Sequence, residues 1–162
     1  MNARHSGSGP LIRFDLPALP GTYILVLKLH WECVIDVGAL GELTFPPGFW
    51  FYIGSAMGSG GLAGRVAHHA RFAERPRWHI DYLRFAGTPV EVWYALSDDS
   101  LECTWAALLS HIEGVERGTV GFGCSDCNCD SHLFHADQTN TYEKFCRLAG
   151  DVQRAIAVRP GG

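Results

Sequence analysis

The chain has 162 residues, of which 47% are hydrophobic and 19% charged, and its formal net charge is −4. This length suits one domain with a core of ordinary size, and the apolar content excludes a chain that is disordered throughout. The negative net charge argues against a protein that coats nucleic acid through charge alone.

The sequence pattern predicts neither a signal peptide nor a membrane span. The N-terminal stretch MNARHSGSGP contains no apolar run that would form the core of a signal peptide, and no stretch approaches the roughly 18 apolar residues of a membrane span. We therefore expect a cytoplasmic protein without a membrane partner. We expect a flexible segment over residues 1–20, a single domain over residues 21–150 and a tail over residues 151–162.

Apolar runs rich in β-branched and aromatic residues predict strands in the first third of the chain. GTYILVLKL (21–29) and ECVIDVG (32–38) are predicted to be neighbouring strands of one sheet. FWFYIGSA (49–56) is predicted to be a third, central strand. The intervening LGELTFPPGF (40–49) contains two consecutive prolines, which favour a loop.

Helical and strand patterns alternate in the rest of the chain. Apolar residues at helical spacing predict a helix from Gly61 to Ala73, followed by two helices and two strands before a last short helix and a frayed end. These segments are RWHIDYLRFAG (77–87, helix), TPVEVWYALS (88–97, strand), DDSLECTWAALLSHIEG (98–114, helix), SHLFHA (131–136, strand), TYEKFCRLAG (141–150, helix) and AIAVRPGG (155–162, tail). The predicted class is α+β, with helices on a small, mostly antiparallel or mixed sheet.

A glycine-rich turn joins the third strand to the first helix. Gly58, Gly60 and Ala63 satisfy the G-x-G-x-x-A spacing of dinucleotide-binding turns, and Asp81 lies at a suitable distance beyond them. This signal is weak, because Asp81 falls in a helical segment and the chain has little room for paired βαβ units. The same region is locally basic, with five arginines against two acidic residues between positions 61 and 84.

A second set of residues carries a more specific signal. GTY (21–23) on the first strand, YIG (52–54) on the third, and Arg65 and His69 on one helix face resemble the GIY-YIG nuclease family. WHIDYL (78–83), LEC (101–103) and GFGCSDCNCDSHLF (121–134) follow in the order typical of its DUF123 branch. The resemblance extends over residues 21–136 and implies a GIY-YIG-like fold.

The resemblance implies a metal-dependent endonuclease that hydrolyses phosphodiester bonds in DNA, in the context of DNA repair. Tyr23 or Tyr52 would position or deprotonate the attacking water, and Arg65 would hold the phosphate together with His69. Glu102 would bind one Mg²⁺ or Mn²⁺ ion. Residues implied to contact substrate are Gly54, Gly61, His79, Ser131 and His132.

Elementary chemistry sets conditions for this hypothesis. A tyrosine acts as a base only if a neighbouring cation lowers its pKa, which is near 10 when unperturbed. Free N–H groups near Gly61, at the start of a helix, would bind a phosphate. Arg65 and Glu102 must act on one phosphate, so the hypothesis requires that they do not lie on opposite faces of the sheet.

Structural roles remain open for the same residues. Tyr23 and Tyr52 also suit a core, Glu102 also suits a helix N-terminus through its charge, and His68 also suits a solvated surface. Trp78, His79 and Asp81 also suit a packed aromatic beside a His–Asp pair. The family's late asparagine has no clear counterpart in this sequence, which leaves a non-catalytic DNA-binding or protein-interaction module as the alternative.

Cysteine and histidine residues cluster between positions 121 and 135, the loop that this alternative would use for contact. With no sign of export, the six cysteines of the chain are expected to be free thiols or metal ligands rather than disulfides. The resembled family keeps a DC-x-C-x-SH core, and this resemblance implies that Cys127, Cys129 and His132, rather than Cys124 and His135, are the candidate ligands of a structural zinc ion. The other interpretation is that Asp126 and Ser131 fix a tight loop while the cysteines pack.

Overall fold

The computed structural model describes residues 12–71, 75–124, 129–137 and 140–159. The strands and α-helices within these ranges are, in chain order, β1 (Gly21–Leu29), β2 (Cys33–Asp36), β3 (Glu42–Phe45), β4 (Gly48–Ala56), α1 (Gly61–Ala70), α2 (His79–Leu83), β5 (Thr88–Leu96), α3 (Glu102–Ser110), β6 (Val115–Arg117), β7 (Leu133–Ala136), α4 (Thr141–Ala149) and β8 (Gln153–Ile156).

Six of these strands form one sheet in the order β6-β7-β4-β1-β5-β8, and neighbouring strands pair antiparallel. β1 lies inside the sheet between β4 and β5, and all but one of its nine residues are buried. This burial explains why its sequence is an almost continuous apolar run rather than an alternating one. The predicted α+β class with a mostly antiparallel sheet is confirmed.

The sheet separates two apolar clusters because successive residues of a strand point to opposite faces. Leu25 belongs to the cluster that contains Leu62 of α1, and we call this side the α1 face. Ile24 belongs to the cluster that contains Trp105 of α3 and Phe145 of α4, and we call this side the α3 face. Burial of these clusters supplies the main driving force for folding.

β2 does not lie beside β1, so the prediction of two neighbouring strands in one sheet was wrong. β2 pairs with β3 in a separate two-stranded sheet. Both edges of β1 are already occupied by β4 and β5, which leaves no free edge for β2. The predicted loop over residues 40–49 therefore contains a strand, which ends at Phe45 before the two prolines.

Smaller differences concern the ends of elements. The helix predicted to reach Ala73 ends at Ala70, and residues 72–74 are outside the described ranges. The C-terminal part of the chain is not simply frayed, because β8 pairs with β5 and Val158 pairs with Arg13. β6 was not predicted, since it has three residues and two of them are exposed. Within the described residues, no helix has the length and apolar character needed to cross a membrane.

Candidate functional site

Tyr23 of β1 and His69 of α1 form a buried pair on the α1 face. The Tyr23 hydroxyl lies 2.6 Å from Nε2 of His69, and the two side chains are 1% and 2% exposed. Burial lowers the pKa of His69 to about 3, so the imidazole is neutral at pH 7. A neutral imidazole with Nε2 unprotonated accepts the hydrogen bond that the hydroxyl donates.

Tyr52 and Gly54 of β4 complete this cluster. Tyr52 contacts the His69 ring edge-on, with 5.9 Å between ring centroids. Gly54 lies directly opposite Tyr23 in the strand register, and a Cβ atom at Gly54 would lie 2.5 Å from Cζ of Tyr23. Tyr23 therefore occupies the space that we expected Gly54 to leave for a substrate.

Arg65 lies one helical turn before His69 and stacks on Trp78. Its guanidinium carbon is 4.6 Å from the centre of the indole ring, a distance typical of cation–π contacts. The positive charge of Arg65 acts on the hydroxyls of Tyr23 and Tyr52. The structure thus brings Tyr23, Tyr52, Arg65 and His69 together, and the helical spacing accounts for Arg65 and His69 alone.

Burial raises the pKa of both tyrosines, in spite of this cation. For Tyr23 and Tyr52 the loss of hydration is the largest effect, and it outweighs the lowering caused by Arg65. In the free protein, the charge of Arg65 alone therefore does not bring the pKa of either tyrosine below its ordinary value. Both hydroxyls are protonated at neutral pH.

Glu102 is the first residue of α3 and lies at the end of the sheet. The loop before it is fixed because the Leu101 amide donates a 2.9 Å hydrogen bond to the Thr22 hydroxyl. Ser100 and Ser55 also share a hydrogen bond, of 2.6 Å. Glu102 Oε2 lies 3.7 Å from Nδ1 of the buried His132.

The helices that carry Arg65 and Glu102 pack against opposite faces of the sheet. The requirement of a shared face is therefore not met by α1 and α3 as a whole. The Glu102 carboxylate still raises the pKa of both Tyr23 and Tyr52. For Tyr52, Glu102 is the charged group with the largest effect on the pKa. Its charge thus reaches the tyrosines from the end of the sheet.

The amides near Gly61 are not free. The Gly61 amide donates to the Gly58 carbonyl, while those of Leu62 and Ala63 donate to Leu19 and Pro17. The predicted phosphate cradle at Gly61 was therefore wrong. The dinucleotide interpretation fails for the same reason, and the described strands include no parallel pair.

The predicted His79–Asp81 pair is replaced by other contacts. Asp81 accepts hydrogen bonds from the amides of Arg77 and Trp78 and so caps α2, while its other oxygen lies 3.4 Å from Nε2 of His68. His68 is partly buried against Trp78 rather than solvated. His79 Nδ1 accepts a hydrogen bond of 2.9 Å from the Gly123 amide.

A cysteine and histidine group lies beside Glu102. The ligand atoms of Cys103, Cys129 and His132 all lie within 4.8 Å of one another, so these residues could hold a metal ion. The sulfurs of Cys103 and Cys129 are joined as a disulfide, which corrects the expectation that the chain has no bridges. The start of α3 brings Cys103 to the segment before β7, a contact that local spacing does not reveal.

The rest of the loop 121–135 is described in part. Cys127 and Asp126 lie outside the described ranges. Ser131 is buried, and its hydroxyl bonds the amide and carbonyl of Leu133, as expected of a residue that fixes a tight loop. His132 is also buried, so these two residues present little surface to a substrate.

Arg84 was missed at the sequence level. Its guanidinium donates hydrogen bonds to the carbonyls of His69, Ala70 and Gly87, and thereby satisfies the C-terminal end of α1. A buried arginine after a helical segment gives no local signal for this role. Arg84 fixes the position of the helix that carries Arg65 and His69.

Comparison with known protein families supports the resemblance to DUF123. The sequence model of the family described as DUF123, a domain of unknown function, matches residues 22–154. No curated protein and no solved structure matches the chain. The match covers β1 to β8 almost completely, and the chain therefore belongs to the DUF123 family.

Proposed function

We propose that this DUF123 domain is a GIY-YIG-type endonuclease that hydrolyses phosphodiester bonds in DNA, with DNA repair intermediates as its substrate class. The observation that carries the proposal is the buried hydrogen bond between Tyr23 and His69, with Arg65 one helical turn away. Among the described residues, Nδ1 of His69 has no hydrogen-bond partner. A buried polar atom without a hydrogen-bond partner destabilises the fold, and such groups are typical of functional sites.

The pair supplies a route for a proton. Tyr23 is 1% exposed in the free protein, so water must enter the site for this step. Tyr23 would then accept a proton from the attacking water while its own proton passes to Nε2 of His69, so that no free tyrosinate forms. The negative charge of a bound phosphodiester would raise the low pKa of His69 and favour this transfer. Arg65 would stabilise the charge that develops on the phosphate oxygens.

Exposed cations support nucleic acid as the substrate. Arg71, Arg75 and Arg77 are exposed in the segment that follows Arg65, and Arg77 lies 6.0 Å from the Trp78 ring on which Arg65 stacks. Arginines beside an aromatic ring bind phosphates and stack with bases. This segment is thus positively charged, although the net charge of the whole chain is negative.

The side chain of Glu102 is suited to bind a hard cation. Its carboxylate is partly exposed, and a single carboxylate suits a Mg²⁺ or Mn²⁺ ion that keeps most of its water ligands. When bound, such an ion supplies positive charge to the phosphate and the leaving oxygen. Within this chain, Glu102 would hold the ion, and Thr22 would fix the backbone that precedes it.

The test is cleavage of labelled single-stranded, duplex, flap and branched DNA by protein freed of metal and then supplied with Mg²⁺ or Mn²⁺. Arg65→Ala and Glu102→Gln should abolish scission, while Glu113→Gln, at an exposed carboxylate remote from the tyrosines in sequence, should not. Scission that persists in Arg65→Ala would overturn the proposal. Persistence in Glu102→Gln alone would remove the metal role of Glu102.

A non-catalytic DNA-binding or protein-interaction module is the second candidate. It is favoured by the raised pKa values of both tyrosines and by the packing of α1 and α3 on opposite faces. Under this alternative the protein binds DNA or a protein through the loop 121–135 and cuts nothing. Metal-independent DNA binding without scission of any substrate would select it.

A further inference from the structure

We propose that Cys103, Cys129 and His132 form a zinc-type metal site that is open only while the two cysteines are reduced, and that formation of the Cys103–Cys129 disulfide closes it. The site differs from the Mg²⁺ or Mn²⁺ position proposed at Glu102. It also differs from a zinc site contained in the loop, because one ligand comes from α3. The inference does not rest on the proposed nuclease function.

The geometry brings the three donors together from distant parts of the chain. Cys103 and Cys129 are 26 residues apart in sequence, yet their Cα atoms are separated by 6.1 Å. The donor atoms of all three residues fall within 4.8 Å of one another, which is the span of a single coordination sphere. Cys103 is exposed, so an ion or an oxidant can reach the sulfurs.

The backbone holds His132 in place for this role. Its amide donates to the Phe122 carbonyl, and its carbonyl accepts from the Ile53 amide of β4, each at 2.9 Å. Histidine binds a metal ion through a neutral imidazole nitrogen, and these backbone contacts fix where the ring lies. Glu102 Oε2, 3.7 Å from Nδ1, is a nearby carboxylate of the kind that supports metal-bound histidines.

The donor set selects the class of metal. Two thiolates and one imidazole suit Zn²⁺, and they do not suit Mg²⁺, which prefers oxygen ligands. Binding of Zn²⁺ displaces the two thiol protons to solvent. Three protein ligands leave one position of a tetrahedral ion for water or another ligand.

Metal and disulfide exclude each other because both use the same two sulfurs. Oxidised glutathione can serve as the oxidant. One cysteine thiolate attacks the disulfide of oxidised glutathione, releases one glutathione thiolate and forms a mixed disulfide between protein and glutathione. The second cysteine thiolate then attacks the protein sulfur of this mixed disulfide and releases the second glutathione thiolate. Two electrons and two protons pass from the cysteine pair to two glutathione molecules, and the bond formed is Cys103 Sγ–Cys129 Sγ.

The test uses the whole chain in two redox states. Reduced, metal-free protein is titrated with Co²⁺, a spectroscopic substitute for Zn²⁺, and the thiolate-to-cobalt absorption band is followed. We expect one equivalent to bind and Zn²⁺ to displace it. Protein oxidised with glutathione disulfide should bind at least tenfold more weakly, and peptide mapping should find the Cys103–Cys129 bridge. Equal affinity in both states, or a different bridge, would overturn the proposal.

Single substitutions locate the ligands. Cys103→Ser, at an exposed position, should lose the absorption band, while Cys33→Ser and Cys146→Ser on β2 and α4 should keep it. Circular dichroism checks that each variant is folded. Retention of the band in Cys103→Ser with its loss in Cys127→Ser would overturn the proposal in favour of a site contained in the loop.

Discussion

The hydroxyl of Tyr23 and Nε2 of His69 are joined by a 2.6 Å hydrogen bond in the interior of the protein, between the central strand and the first helix. Both side chains are almost completely buried. Within the described residues, each side chain would lose its only hydrogen bond if the other were removed. This contact therefore couples the stability of the fold to the geometry of the candidate site.

Tyr23→Phe should lower the free energy of unfolding by about 1–3 kcal/mol, because it leaves Nε2 of His69 buried without a partner. His69→Leu should have a cost of similar size, since it strands the Tyr23 hydroxyl. The double variant should lose less than the sum of the two, because neither polar group remains. Chemical denaturation of all four proteins measures the coupling. Strictly additive losses would show that the hydrogen bond does not stabilise the fold.

The low pKa of His69 predicts a pH dependence of stability. The pKa is about 3 in the folded protein and about 6.5 in the unfolded chain. Below pH 6.5 the unfolded chain binds a proton that the folded protein does not, so acidification stabilises the unfolded state. The contribution of a neutral, buried His69 is complete above pH 6.5 and is lost as the pH falls toward 3.

For one proton, this loss amounts to about 1.4 kcal/mol per pH unit. His79 and His132 also have lowered pKa values and add slopes of the same sign. The difference between wild type and His69→Leu isolates His69. It should fall steadily below pH 6.5 and reverse sign before about pH 4, because about 3.5 kcal/mol lost over this range exceeds the cost of about 1–3 kcal/mol for the substitution. If the unfolding free energies of wild type and His69→Leu changed in parallel over this range, the low pKa of His69 would be contradicted.

The sequence predicted most of the strands and helices because their apolar periodicity is a local signal. It did not predict which strands pair. β2 was assigned to the wrong sheet, since its sequence cannot reveal that β5, some fifty residues later, occupies the second edge of β1. β8 was missed because its four residues are mostly exposed and resemble a tail.

The candidate site was predictable where its spacing is helical. Arg65 and His69 lie one turn apart, and helix geometry alone places them together. The pairing of Tyr23 with Gly54 depends on strand register, and the contact of Arg65 with Trp78 depends on how α1 packs. Sequence patterns reveal neither the strand register nor the packing of the helix. The opposite packing of α1 and α3 was also beyond them, because it depends on the path of the chain around the sheet.

Gly54 tests how closely the tyrosine packs against β4. Gly54→Ala should destabilise the protein by about 1–3 kcal/mol, since the new Cβ would lie 2.5 Å from Cζ of Tyr23. Gly64→Ala is the matched control, because no atom lies within 4 Å of its added Cβ and the position is exposed on α1. That change should stabilise the protein by about 0.5–1 kcal/mol. Thermal melting distinguishes the two, and equal melting temperatures would contradict the packing argument.

Arg65 tests whether the geometry of one cation matters beyond its charge. Arg65→Lys keeps the positive charge but loses the planar group that stacks on Trp78 and can bind a phosphate through two hydrogen bonds. DNA cleavage should fall by at least tenfold, while unfolding free energy changes by less than about 1 kcal/mol. The exposed Arg147, in the last turn of α4 on the other face of the sheet, gives the control Arg147→Lys.

The two variants have the same net charge, so any difference between them in DNA binding reflects position and shape. Arg147→Lys should leave affinity close to that of wild type at every salt concentration. Arg65→Lys should weaken binding without changing the slope of affinity against salt, because the number of neutralised phosphates stays the same. If both variants lost affinity equally, Arg65 would be one surface cation among several, and the cluster around Tyr23 and His69 would serve the fold alone.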